Sequence, residues 1–520
     1  MTSEELFASC LIIGGGLSAY VAAREILSSG KKVILIAAGS GASPYVHGIQ
    51  VPTLPQDSVS KFLEDTYEGG CCQGKHSLEE VLCGDSLLVP DMLRKLGLSL
   101  NRTAKGEIEL LQPLGASFPR VISVGNALGA YALAQLKREL SGRLTIISGR
   151  AVRLFRGERA FSALCYADGK PLIIGADKVL IAAGGFGNLY EFTTNGNDTG
   201  GDAVAMAHSV GASLVDLEFV QFEPSVAVWP SALRGKSVIT TLFYDGAVLR
   251  NGRNERFMAS RYPQAERVGK DVLAREITEE IARGNGSEHG GVFLDCTLVP
   301  KKKLTSEYRS YYERYLACGI DLAEQPVEIA AGAHTTLGGI ETDASCATCV
   351  EGLYACGEAA GGIHGANRLG GNAGLETFVF GRRAGKSIAQ ALLSERETSR
   401  SDAVNQARAF LKRTARTKPD IAAMHMRLRK LMTKNLGVVR NAEGIDAIRR
   451  EIAVMLDNLP DTAEEEIARL RNDLTTAELV ARCCAAREES VGCHIRSDAK
   501  TERGRYTLKV KNGEIAREEL

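Results

Sequence analysis

Near the start of the chain, the sequence predicts a strand, a glycine turn, a helix and a second strand in that order, and this order limits the possible folds. Apolar residues 10–13 precede the glycine turn, and the β-type run 33–36 follows the amphipathic segment. Gly14, Gly16 and Ala19 occupy the small-residue positions of a dinucleotide-binding βαβ unit. The sequence therefore predicts a helix N-terminus that faces a pyrophosphate, whose negative charge the helix dipole stabilises.

One expected feature of this unit is missing. In such units an acid about 20 residues after the glycines holds a ribose hydroxyl. Here the second strand ends in Ala37, Ala38 and Gly39. We therefore expect the backbone or another group to take over that contact.

Composition and charge exclude several functional classes. With 520 residues the chain is long enough for several domains, and its 63 basic and 63 acidic residues give no net charge. We therefore expect no nucleic-acid partner, because no global positive field is present.

No run of about 20 apolar residues occurs, so no transmembrane segment is predicted. The 13 cysteines are odd in number and partly adjacent, which indicates reduced thiols and a cytoplasmic chain, and their spacing predicts no metal or iron–sulfur site.

The patterning along the chain predicts an α/β fold with a doubly wound nucleotide-binding domain in two segments. Residues 225–330 lack the βαβ rhythm and contain the single tryptophan, Trp229, which indicates an inserted α+β capping domain. A helical bundle is predicted to follow. The expected boundaries are 1–224 for the first segment, 225–330 for the cap, 331–395 for the second segment, 396–500 for the bundle and 501–520 for a C-terminal strand and tail.

Several motifs beyond the first turn carry a family resemblance. The chain resembles the succinate dehydrogenase, fumarate reductase and L-aspartate oxidase flavoproteins, and the resemblance covers nearly its whole length. The residues that carry it, besides 14–19, are AAGGFG at 182–187, TTN at 193–195, QF at 221–222, GG at 338–339, EGLYACGE at 351–358, HGANRLGGN at 364–372, GVVR at 437–440 and ESVGCH at 489–494.

The resemblance implies a bound FAD. Ala42 stands where several family members attach the flavin through a histidine, and His47 lies five residues further on. We therefore expect noncovalent FAD. The cofactor-binding residues that the resemblance implies are Gly14, Gly16, Ser18, Ala19, Ala38, Gly39, Gly48, Val152, Gly184, Gly185, Asp202, Glu358, Asn372, Ala373 and Gly374.

The residues implied to handle the substrate depart from the family pattern. Lys270 stands where the family has its proton-donating arginine, and Glu223 and Leu242 replace a histidine and a glutamate that suit a dicarboxylate. His334 and Arg368 match the family's carboxylate ligands. Lysine can carry a proton but lacks the planar fork that clamps a carboxylate. Lys270, Glu223, His334 and Arg368 are therefore the predicted catalytic residues.

Together these features predict an FAD-dependent oxidoreductase that transfers a hydride between flavin and a small carboxylate other than fumarate or succinate. A true L-aspartate oxidase or fumarate reductase is one alternative. A flavin-holding electron-transfer subunit without its own turnover is the other. The expected partners are the small carboxylate substrate and an electron-transfer protein or quinone, with a cytoplasmic location that a partner could make peripheral to a membrane.

Overall fold

A computed structural model describes residues 4–125, 127–238, 240–394, 400–415, 419–499 and 504–520. The strands, in chain order, are β1 (Glu4–Ile13), β2 (Val33–Ala37), β3 (Gly48–Gln50), β4 (Val121–Ser123), β5 (Thr145–Ser148), β6 (Arg150–Arg156), β7 (Phe161–Ala167), β8 (Lys170–Ile181), β9 (Leu214–Val215), β10 (Val220–Trp229), β11 (Val248–Arg250), β12 (Val292–Asp295), β13 (Val327–Thr336), β14 (Gly339–Ile340), β15 (Leu353–Ala355), β16 (Val439–Arg440), β17 (Ile495–Arg496), β18 (Tyr506–Lys511) and β19 (Glu514–Glu519).

The helices, in chain order, are α1 (Leu17–Leu27), α2 (Val59–Gly69), α3 (His76–Asp85), α4 (Val89–Lys95), α5 (Leu128–Glu139), α6 (Asp202–Ser209), α7 (Phe257–Arg261), α8 (Lys270–Glu280), α9 (Lys301–Thr305), α10 (Arg309–Leu316), α11 (Asn372–Ser394), α12 (Ser401–Leu411), α13 (Ile421–Asn435), α14 (Ala442–Asp457) and α15 (Glu465–Ala486).

The main sheet has the order β5-β2-β1-β8-β7-β6, with β15 also paired to β8. Strands β5, β2, β1, β8 and β15 run parallel, and β6 and β7 extend the sheet in antiparallel pairing. Strand β1 begins at Glu4, earlier than the apolar run 10–13 suggests, because its first residues pair with β8 from Leu172 onward. The carboxyl ends of the parallel strands meet at one edge, which is where ligands bind in doubly wound sheets.

Helices cover both faces of this sheet, so its strands are apolar on both sides. On one face α1, α5 and α11 contribute buried residues such as Ala19, Leu133 and Phe378. On the other face α6 and the C-terminal helices α13 to α15 pack against the sheet, with Leu428, Ile448 and Leu474 fully buried. The C-terminal helices therefore share a hydrophobic core with the sheet.

A second, antiparallel sheet has the order β10-β13-β12-β11. With α7 to α10 it encloses a separate apolar core that includes Leu273, Ile277 and Tyr315. We call this unit, β10 to β13 with α7 to α10, the cap. Strands β10 and β13 run across residues 225 and 330, so they join the cap to the main domain as continuous strands.

The end of the chain is part of the main body. Strands β18 and β19 form a hairpin, and β18 pairs with β9 in the sheet β14-β9-β18-β19. After α15 the chain leaves the helical pattern expected up to residue 500 and forms β17, which pairs with β16. The last helix of the predicted bundle therefore ends at Ala486.

Candidate active site

The first glycine turn is a tight turn that packs closely against the loop after β8. Gly14 has φ +126°, and a Cβ added there would lie 2.0 Å from the carbonyl oxygen of Ala182, so only glycine fits. The amide of Leu17, the first residue of α1, donates to Ser43 Oγ at 2.8 Å. Ser18 is buried beside Gly357, where an added Cβ would lie 2.6 Å from Ser18 Oγ. The start of α1 is thus held close to two other loops at the edge of the sheet.

Glu358 and Gly185 lie together at the same edge. An added Cβ on Gly185 would lie 2.5 Å from Glu358 Oε1, which accepts a hydrogen bond from the amide of Thr336 at 2.9 Å. Burial raises the pKa of Glu358 to about 7, although the Thr336 amide opposes the shift. The neighbouring Gly184 has φ +79°. Three of the predicted cofactor residues, Gly184, Gly185 and Glu358, therefore lie close together.

The start of α11 packs against the loop that precedes β3. Asn372 begins the helix, and an added Cβ on Gly374 would lie 2.6 Å from Val46 Cγ1, so the loop that carries His47 packs against the first helical turn. Asn372 Oδ1 is buried and accepts no hydrogen bond from any described residue. The N–H groups at a helix start suit the electron-rich edge of a reduced flavin, whereas the free oxygen of Asn372 suits a hydrogen-bond donor of a ligand.

The remaining predicted cofactor residues are distributed around this cleft. Ala38 and Gly39 follow β2 and are exposed, whereas Gly48 and Val152 are buried in β3 and β6. Val152 accepts a hydrogen bond from Asn472 Nδ2 at 2.8 Å through its carbonyl oxygen. Asp202 pairs with Arg150 at 2.6 Å, and the same Asn472 donates to its other oxygen at 2.8 Å. Ala19 is buried in α1, and Ala373 is partly exposed in the first turn of α11.

Two predicted catalytic residues form an ion pair. Lys270 Nζ lies 2.5 Å from Glu223 Oε2, and Glu223 is only 4% exposed. Burial alone would raise the pKa of Glu223, but the charge and hydrogen bond of Lys270 and the charge of Arg368 hold it below its ordinary value. Ser225 Oγ also donates to Glu223, at 3.2 Å. Glu223 is therefore an ionised carboxylate at neutral pH.

Local sequence explains how these side chains are positioned. The pairing of β10 with β13 shifts after Glu223, where Pro224 cannot donate a ladder hydrogen bond. A second irregularity lies opposite His334, between Gln221 and Phe222. Bulges of this kind re-aim side chains, and they occur often beside active sites. Lys270 is the first residue of α8, so its side chain leaves the cap at the helix start.

Arg368 and His334 complete the cluster. Arg368 is 7% exposed, and its Nε donates to no described residue. Burial lowers the pKa of His334 to about 3, with help from the charges of Arg368 and Lys270 and against that of Glu223. Thr194 Oγ1 lies 2.8 Å from His334 Nδ1. At neutral pH the cluster thus holds two cations, one anion and a neutral imidazole.

The structure also places two side chains that the sequence did not assign to the site. Tyr311 on α10 of the cap is buried, and its hydroxyl lies 3.0 Å from His47 Nε2 in the loop before β3. Burial raises the pKa of Tyr311 to about 12, and the charge of Glu223 adds to the shift. Thr194 was visible in the TTN motif, whereas nothing in the sequence pattern pointed to Tyr311.

Comparisons with known proteins agree with this geometry. The FAD binding domain family model matches residues 9–373, and the fumarate reductase flavoprotein C-terminal model matches residues 425–514. The chain belongs to the succinate dehydrogenase and fumarate reductase flavoprotein family. It is similar to a subunit of the fumarate reductase (CoM/CoB) of Methanothermobacter marburgensis, with 32% identity over 96% of this chain and 95% of that protein. It is also similar to L-aspartate oxidase of Bacillus subtilis, with 28% identity over 87% of this chain and 83% of that protein.

Solved structures of this flavoprotein family have the same fold. Mycobacterium smegmatis Sdh1 in complex with UQ1 matches with a TM-score of 0.86 and 26% identity, over 99% of this chain and 95% of that one. An Escherichia coli quinol fumarate reductase matches with a TM-score of 0.89 and 23% identity, over 99% and 96% of the two chains. The predicted α/β fold and family are therefore confirmed.

Family membership makes the chain an FAD-dependent oxidoreductase. The residues present fit that cofactor: Gly14 allows a close backbone approach, α1 and α11 each offer a helix N-terminus, and Asn372 Oδ1 and Gln50 Oε1 are buried acceptors without a partner among the described residues. Bound FAD supplies a centre that exchanges hydride. With FAD bound, Gly14 and the start of α1 would hold its pyrophosphate, and the start of α11 would hold its flavin ring.

Neither a metal site nor a membrane span is found within the described ranges. No group of histidines, cysteines and acids there could hold a metal ion. Across the same ranges, no helix combines the length and the apolar character needed to cross a membrane.

Proposed function

We propose that this flavoprotein transfers a hydride between FAD and a small substrate that carries one carboxylate, at a C–C or C–N bond next to that carboxylate. The observation that carries the proposal is the ion pair between Lys270 and Glu223. Because the pair is neutral as a whole and His334 is uncharged at neutral pH, Arg368 supplies the net positive charge of the cluster. One carboxylate balances that charge, whereas a dicarboxylate would leave a net negative charge in a poorly solvated site.

Arg368 and His334 are the proposed carboxylate ligands. The guanidinium of Arg368 is buried and its Nε has an unused donor, so an anionic ligand would satisfy it. The hydroxyl of Thr194 is closer to His334 Nδ1, at 2.8 Å, than to the Ala333 carbonyl oxygen, at 3.5 Å. With Nδ1 as the acceptor, the ring proton sits on Nε2. A neutral His334 then donates to the carboxylate without adding charge.

Lys270 is the proposed proton carrier. Its ammonium group has three donors, of which Glu223 takes one at 2.5 Å, so others remain for a substrate carbon or a water. Glu223 fixes the direction of the ammonium group by this contact. The same carboxylate offers a site for an amine or hydroxyl of the substrate. A substrate with one carboxylate and one such polar group therefore fits both ends of the cluster.

Fumarate reduction is the second candidate. It is favoured by the similarity to the fumarate reductase (CoM/CoB) of M. marburgensis, which extends over 96% of this chain. If fumarate is the substrate, Lys270 would turn away from Glu223 to contact the second carboxylate of fumarate. The similarity to L-aspartate oxidases supports an amino-acid substrate in the same way. The charge balance of the cluster makes us prefer the substrate with one carboxylate.

We also propose an electron-transfer partner, either a protein or a quinone. The similarity to Sdh1 of M. smegmatis, solved in complex with UQ1, supports such a partner. All 13 cysteines lie in the described residues and none forms a disulfide, as expected for a reducing, cytoplasmic setting. A partner would then account for any peripheral contact with a membrane.

A ligand panel tests the proposed substrate class. Holoenzyme is reduced or oxidised anaerobically with matched pairs of acids that have the same carbon skeleton and either one or two carboxylates, while the flavin absorbance is followed. Monocarboxylates with an amine or hydroxyl should change the flavin spectrum fastest. Rapid turnover of fumarate, succinate or L-aspartate, at about 1 to 10³ per second, would instead establish the alternative. A flavin that no acid in the panel affects would support the role of a flavin-holding subunit.

A further inference from the structure

The end of β2 lacks the acidic residue that is usual in a dinucleotide-binding unit. In dinucleotide-binding βαβ units a carboxylate at this place holds the ribose 2′-hydroxyl of the adenosine half. Here β2 ends at Ala37, and the chain continues through Ala38 and Gly39 without an acid. The rest of the unit is intact, so a ribose at this edge would lack its usual acceptor.

The structure brings a carboxylate to this place from another loop. Asp198 lies in the loop between the TTN motif and α6, and its Oδ2 accepts a hydrogen bond from the amide of Gly41 at 2.7 Å. A Cβ added to Gly39 would lie 2.1 Å from the same oxygen, so the carboxylate rests directly on the Gly39 main chain. Gly39 in turn packs against the phosphate turn, because a Cβ added to Gly15 would lie 2.4 Å from its carbonyl oxygen. We propose that Asp198 binds the ribose 2′-hydroxyl of FAD in place of the missing acid.

The chemistry of Asp198 suits this role. A carboxylate has about four lone-pair positions, and the amide of Gly41 uses one of them. Asp198 is half-buried, so part of it remains accessible. Asp202, the next acid in the chain, has two of its positions taken, by an ion pair with Arg150 and a hydrogen bond from Asn472. Gly39 is explained by the same contact, since any side chain there would displace the carboxylate.

The inference rests on FAD binding by this family and not on the proposed substrate, so its test uses no substrate. FAD is removed from the holoenzyme and rebound, and the dissociation constant is measured from the quenching of flavin fluorescence. The probes are FAD and its analogue with 2′-deoxyadenosine. The proteins are the natural chain, Asp198→Ala, Asp198→Asn, and the neighbouring Asn197→Ala, because Asn197 contacts Arg150 through its main-chain oxygen. Thermal unfolding of each variant monitors the fold.

We expect Asp198→Ala to weaken FAD binding by about 10- to 100-fold, as for the loss of a charged hydrogen bond. The natural chain and Asn197→Ala should bind the deoxy analogue more weakly than FAD by a similar factor. Asp198→Ala should bind FAD and the analogue equally. Asp198→Asn should prefer FAD over the analogue, but less strongly than the natural chain does. If Asp198→Ala still discriminates between the two flavins, or if the natural chain does not, Asp198 is not the ribose ligand. If Asp198→Ala weakens the binding of FAD and of the deoxy analogue by the same factor, and still binds FAD more tightly than the analogue, Asp198 only supports the loop at Gly41.

Discussion

Replacing Glu223 by glutamine tests the charge balance on which the proposed substrate class depends. Glutamine keeps the shape of the side chain but removes its charge, and it leaves Lys270 without the partner that now lies at 2.5 Å. The net charge of the cluster would rise by one unit. We therefore expect the site to accept a second carboxylate more readily, and succinate compared with butyrate measures this change because the two acids differ in one carboxylate.

The magnitude follows from Coulomb's law. A second carboxylate about 5 Å from Glu223 is repelled by about 1 kcal/mol in a water-like medium and by about 3 kcal/mol at an effective dielectric constant of about 20. Glu223 is 4% exposed, which favours the larger value. Removing this repulsion should shift the ratio of the two dissociation constants toward succinate by about 5- to 150-fold.

The assay is a spectral titration of the oxidised holoenzyme with each acid, at low and high salt. Glu223→Asp, which keeps the charge, is the matched control and should leave the ratio near that of the natural chain. Flavin content and thermal unfolding are measured in parallel, since loss of one member of a buried pair destabilises the fold. An unchanged ratio in Glu223→Gln would refute the view that the charge of Glu223 selects against dicarboxylates.

Three further outcomes are expected. Acid or heat denaturation should release the flavin into the supernatant, because Ala42 offers no attachment point, and flavin retained by the precipitate would direct attention to His47. Lys270→Met should lower turnover by about 10² to 10⁴ at unchanged flavin content, with full native turnover showing that the proton comes from elsewhere. Burial raises the pKa of Glu79 to about 8, so its contribution to stability is complete below pH 4.5 and is lost as pH rises through 8. Glu79→Gln should therefore gain a few kcal/mol over the natural chain between pH 5 and pH 9, as denaturant unfolding at several pH values would show.

Sequence patterns were sufficient to predict the features of this protein that depend on residues close together in the chain. Gly14 and Gly16 predicted a phosphate turn, and at Gly14 the positive φ and the close approach of the Ala182 carbonyl oxygen leave no alternative to glycine. The alternation of apolar runs and amphipathic segments predicted the doubly wound sheet, since the periods of strands and helices are local properties. Even the missing acid after β2 was visible, because its position is fixed by its distance from the glycines.

Contacts between side chains that are far apart in the sequence depend on the tertiary structure. From sequence, Glu223 was a charge that repels a dicarboxylate, and the structure makes it half of an ion pair with Lys270. Gly41 and Asp198 are 157 positions apart, and His47 and Tyr311 are 264 apart, yet each pair is in hydrogen-bond contact. Such contacts follow from the order of strands in the two sheets and from the shifted pairing beside Pro224. Local periodicity contains no information on either, because strand order and loop paths are fixed only when the whole core packs.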